Sequence, residues 1–211
     1  RPPRGFNSPA TLVDLQHDRA LEPDMLDAFV LHSDMDSADE RLRALHSWAH
    51  RFRSEHGRWP AVWLDYVCAD PMVDRRERLA HEVVAMCRAR TLLCLVGASF
   101  VARLACIGRL LAWHATGGAL DRVEVMVVAS DAAECGAVVA AVDAFNVVYA
   151  EQSSARPRDD HGPLVHAVEL ASATHVNELV HALLPAVQRG AEDAIERAQH
   201  VVAEAIERAQ H

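Results

Sequence analysis

Lysine is missing from this chain: all 21 of its basic residues are arginine. The codon usage of a GC-rich genome accounts for the bias. Its chemical consequence is that neither a lysine Schiff base nor a lysine phosphate clamp is available. Cysteine pairs in C-x-x-C spacing are also missing, although there are five cysteines, Cys68, Cys87, Cys94, Cys106 and Cys135. Four of them sit in apolar segments, where a free thiol behaves as a small hydrophobe. Reduced, core-lining thiols in a reducing environment are therefore expected rather than a disulfide framework. No apolar run approaches the ~20 residues that span a bilayer, so no membrane span is expected. An excess of positive charge is lacking as well, the formal net charge being −9, which argues against a nucleic-acid backbone as partner.

What is present is ordinary for a soluble globular protein: 211 residues, 51% hydrophobic and 24% charged, enough for one domain with a core and an appendage. Residues 1–25 are proline-rich and weakly patterned, a lead-in expected to wrap the surface. The first residue is Arg1; removal of a transit peptide ahead of it would place the protein in a chloroplast or mitochondrion.

From residue 26 the pattern alternates. "DAFVLHS" (27–33), "AVWLDYV" (61–67), "TLLCLVG" (91–97), "RVEVMVVA" (122–129) and "LVHAVEL" (164–170) read as strands. Between them, helical spacing of apolar residues runs over 37–56, 76–90, 100–116 and 131–145. In the second of these helices, Leu79, Val83, Val84 and Cys87 are expected to face inward. Such alternation predicts an α/β domain over 26–172: a flavodoxin-like, doubly wound parallel sheet of five strands in the order 2-1-3-4-5. Ligands of such sheets gather beyond the carboxyl ends of the strands. Residues 173–211 form a helical extension, expected to be disturbed at Pro185 and Gly190. In it "AIERAQH" occurs at 194–200 and again at 205–211, an eleven-residue interval that keeps one face on a nearly straight helix.

Three segments, "AFVLHSDMDSADERLRALHSWAHRFRSEHGRWPAVWLDYVCADP", "LLCLVGASFVARLACIGRLLAW" and "GGALDRVEVMVV", together resemble a TIR-like domain of the type found in unicellular algae and other protists. The resemblance covers about residues 26–170. It implies the flavodoxin-like fold and either of the family's two roles, assembly module or NAD-cleaving enzyme. In the enzymes a carboxylate in a Trp-Cys-x-x-Glu helix stabilises an oxocarbenium-like ribose as nicotinamide leaves. Matched residue by residue, that helix is "RLACIGRLL", with Ala105 for the tryptophan, Cys106 for the cysteine and Arg109 for the acid. A guanidinium has the opposite charge and does not deprotonate in proteins. Asp34, Met35, Tyr66 and Pro71 also depart from the family pattern, whereas Asp65, Cys68, Asp70, Arg103, Leu104, Cys106 and Leu110 keep it. The retained set is mostly framework and the lost set mostly cleft.

At 100° per residue, Phe100, Leu104, Ile107 and Leu111 make the core stripe of this helix, and Arg109 points away from it. Val101, Ala105, Gly108 and Ala112 form a flank of small residues. With Arg109 they are expected to form an interface groove for an incoming helix, from another subunit or from the chain's own tail.

Other constellations carry less. His46 and His50 have a spacing that holds zinc, yet no acid stands with them in the protease pattern, and no metal is expected. Asp34, Asp36 and Asp39 read as helix capping rather than a cation loop. "GASF" is no phosphate loop, and Ser99 has no evident His-Asp partners. The expectation is a non-catalytic TIR-like domain serving as accessory subunit among other protein subunits, without a cofactor. Two alternatives stay open: an NAD hydrolase using a displaced acid, Asp36 or Asp65, and a module that senses a nucleotide without cleaving it.

Overall fold

Strands and helices alternate in the computed structural model, which describes residues 25–64, 68, 74–149 and 162–209. In chain order they are β1 (Leu26–His32), α1 (Ala38–His56), β2 (Val62–Trp63), α2 (Arg75–Arg88), β3 (Ala89–Val96), α3 (Leu104–Ala115) and β4 (Val123–Val127), then α4 (Ala132–Asp143), α5 (Gly162–Leu170), α6 (Ala173–His181) and α7 (Leu184–Ala209). All strand pairs are parallel, in the order β2-β1-β3-β4. Central strands β1 and β3 are apolar along nearly their whole length because both faces of the sheet are covered.

Successive strand residues point to opposite faces and build two cores. On one face Ala28, Val30, Leu93, Leu95, Met126 and Val128 pack with Ala44 and Trp48 of α1. On the other, Phe29, Leu31, Leu92, Cys94, Val96 and Val127 belong to the larger cluster that joins the remaining helices. Helix α1 starts where the sequence says it should: the Ser37 side chain accepts from the Glu40 N–H at 3.4 Å, and Gly57 closes the helix at φ 70°.

The sheet has four strands among the described residues, not five. Residues 164–170, expected as the last strand, belong to helix α5, which packs on α3. A seven-residue apolar run fits either period, and the need to cover α3 decides for helix. β2 is also shorter than expected, two residues where seven read as strand.

Along β4, the last strand of the sheet order, α7 approaches the main chain. A Cβ added to Gly190 would stand 3.2 Å from Val127 Cγ2 and 3.6 Å from both the Val125 carbonyl oxygen and the Val127 nitrogen. Gly190 therefore does not disturb the helix, as its sequence position suggested; α7 runs through it and uses the missing side chain for close approach. Pro185 is the second residue of α7, where no intrahelical N–H is required. Gly190→Leu is expected to cost about 1–3 kcal/mol by overpacking, read as a lower urea midpoint.

Two helices differ from their expected phase. On α2 the buried residues are Glu82, Ala85 and Met86, whereas Val84 is 49% exposed and Cys87 is exposed. On α3, Phe100 lies ahead of the helix, and the helix buries Leu104 through Leu111 without interruption. It is packed by β1, α2, α5 and α6, so it has no wet face for Arg109 to occupy. All five cysteines are free; Cys94, Cys106 and Cys135 are buried, Cys68 is half-buried and Cys87 lies at the surface. No described helix is long and apolar enough to cross a membrane.

Candidate functional site

In the order β2-β1-β3-β4 the chain leaves β1 toward one edge and β3 toward the other, so the switch point lies between the carboxyl ends of β1 and β3. Ser33 follows β1 and Gly97-Ala98-Ser99 follows β3. The two serine hydroxyls meet at 2.6 Å. The Ser99 backbone N–H donates to Asp36 Oδ1 at 3.0 Å, and the Met35 N–H donates to Ser33 Oγ at 3.2 Å. Asp36 lies directly over Gly97, where a Cβ would collide with its carboxylate. Asp36 Oδ2 is buried with no hydrogen-bond partner. These partners of Ser99 are set by the loops and could not be read from residue spacing.

Around this centre, Arg103 pairs with Asp34 at 3.2 Å. Arg41 Nη1 lies 2.6 Å from His32 Nδ1, and the Cys106 thiol donates to the His32 carbonyl at 3.4 Å. Burial pushes that thiol up to about 12, against the pull of Arg109 and Arg103. Cys106 is thus a neutral packing group at neutral pH rather than a thiolate nucleophile.

Arg109 is where the structure corrects the sequence most sharply. It is 6% exposed, and its guanidinium forks onto Glu82 of α2, Nε to Oε2 at 3.0 Å and Nη2 to Oε1 at 3.1 Å. The helical wheel placed it opposite the core stripe; the covering helices turn that side into interior. A buried guanidinium demands a carboxylate, and this demand turns α2 so that Glu82 faces inward and part of the apolar stripe faces out. Val101, Ala105 and Gly108 are buried and Ala112 is half-buried, with helices of this chain packed on α3. Asp65 lies outside the described residues, as do Tyr66, Asp70 and Pro71.

No protein-family model matches this chain, and no curated protein matches it.

The amino end of the sheet holds a second polar arrangement that the sequence did not announce. Buried Asp27 accepts both Arg58 guanidinium nitrogens at 2.6 Å and the Ala61 N–H at 2.8 Å. Burial raises its pKa, but the bonds from Arg58 and Ala61 outweigh burial and hold it below the ordinary 3.8. The folded form thus binds this proton less tightly than the unfolded chain, so the carboxylate's contribution is complete above that value. It is lost as the pH falls below it. Urea midpoints measured from pH 6 down to pH 2.5 are expected to drop more steeply for the native protein than for Asp27→Asn. Beside this pair lies a shallow pocket of about 150 Å³, lined by Asp27, Trp48, Phe52, Arg90 and Glu124 among others. It is at the opposite end of the strands from the switch point. His46 and His50 stack edge to face at 4.7 Å, and among the described residues no three His, Cys, Asp or Glu side chains come together as a metal site.

Proposed function

We propose that this chain is a non-catalytic TIR-like domain of the flavodoxin-like class, acting as an accessory subunit that binds other proteins. The observation that supports this reading is the buried Arg109–Glu82 pair. At the position where the family's enzymes present an acid stands a cation, and the nearby carboxylate of Glu82 is committed to it. Glu82 is also largely screened from solvent, so it offers no negative charge to a ribose cation. At the switch point one oxygen of the half-buried Asp36 is taken up by the Ser99 N–H, and the Ser33 and Ser99 hydroxyls are taken up by each other.

Incubation of the purified protein with NAD is expected to release nicotinamide no faster than a blank. Sizing of a native extract is expected to place the protein in an assembly well above the 23.2 kDa of the chain. Turnover above the blank, or a lone chain in the extract, overturns this reading.

One observation favours a second reading. Asp36 Oδ2 is a buried carboxylate oxygen without a partner at the switch point, the place where a displaced acid of an NAD hydrolase would stand. On that reading nicotinamide release is lost in Asp36→Asn. Binding of a nucleotide without release of product would instead identify a sensing module.

A further inference from the structure

A row of rings and several charged side chains line the pocket at the amino end of the sheet. Trp48, Phe52 and His56 stand four residues apart on α1 and so share one of its faces. The Trp48 and Phe52 ring centroids lie 5.5 Å apart, and those of Phe52 and His56 stack at 4.1 Å. Arg51 and Glu55 of α1, Arg90 and Thr91 of β3 and Glu124 of β4 complete the lining. The volume of about 150 Å³ holds a body the size of benzene. It is too small for a dinucleotide, since pockets for drug-sized ligands run to about 300–1,000 Å³.

Charge narrows the ligand further. Asp27 is taken up by Arg58 and the Ala61 N–H. Glu124 accepts from the Trp48 indole N–H at 2.8 Å and pairs with Arg51 at 3.5 Å, both through Oε2, so its Oε1 has capacity to spare. Among the described residues Arg90 makes no hydrogen bond or ion pair and acts on Asp27 through its charge alone. Glu55 makes none either. The uncommitted groups are thus one cation and one anion beside an aromatic wall. A ligand of single charge would be attracted by one and repelled by the other, whereas a ligand carrying both signs satisfies both.

We infer that this pocket binds a free α-amino acid with an apolar side chain. Its carboxylate meets Arg90, its ammonium meets Glu55 and Glu124 Oε1, and its side chain lies on Phe52 and Trp48. The Trp48 indole N–H sits on Glu124 and reports on the site. In nitrogen-15 NMR of the full chain, its resonance is identified by its loss in Trp48→Phe. Titration with L-leucine or L-phenylalanine is expected to move that resonance saturably, with a midpoint below ~10 mM. The indole N–H of Trp113, which belongs to the other core, is expected to stay in place. Leucinamide lacks the carboxylate and N-acetyl-leucine lacks the ammonium; each is expected to bind at least ~10-fold more weakly than leucine. Arg90→Gln is expected to weaken leucine by a similar factor while the rest of the spectrum is unchanged. No saturable shift with either amino acid overturns the inference. So does equal binding of leucine and its capped forms, or native affinity in Arg90→Gln.

Discussion

Replacing Arg109 with leucine is expected to destabilise the protein by about 3–5 kcal/mol, because it strands the Glu82 carboxylate in the interior. Both side chains are almost wholly screened, 7% and 11% exposed. The loss should appear as a fall in the urea midpoint at neutral pH. The pair itself is a different matter. Removing two charges from water costs nearly as much as their attraction returns, so Arg109→Leu/Glu82→Leu is expected to recover most of the stability. Recovery in the double variant separates a stranded charge from lost packing. An equal or larger loss in the double variant would mean that the pair itself is strongly stabilising.

Trp48→Ala is expected to cost about 3–5 kcal/mol and to loosen α1 as a unit. The α1 face of the sheet has a small core, and among the described residues Trp48 is its largest member and its only buried aromatic. Its indole N–H also donates to Glu124 Oε2 at 2.8 Å, linking α1 to β4. Phe52 and Leu45 are only partly buried and offer little to close the resulting cavity. Amide exchange should therefore quicken in α1 more than in α3, which belongs to the other core. Because α1 carries Arg41, which contacts His32, the substitution should also relax the switch-point cluster.

How far the site could be read in advance differs residue by residue. Ser37 and Gly57 bracket α1 where a cap and a stop were legible, since both act within a turn of their own position. Ser33, Asp36 and Ser99 were visible as loop residues after strands, but their mutual bonds span more than sixty positions of sequence. Glu82 was missed because the apolar residues of α2 pointed to the opposite phase. Met86, which shares its helical face, was the available hint. The fifth strand was mistaken because a run of seven apolar-rich residues fits period 2 and period 3.6 alike; contact with α3 selected the helix.

By itself the sequence determined the parallel α/β alternation, the ends of α1 and the apolar central strands, since periodicity, capping and strand burial are local or repeat along the chain. Only the tertiary structure decided the orientation of α2, the burial of Arg109 and the close approach of α7 to β4. Each of these depends on which distant surface covers a residue, and a buried charge or a missing side chain acquires its meaning from that neighbour.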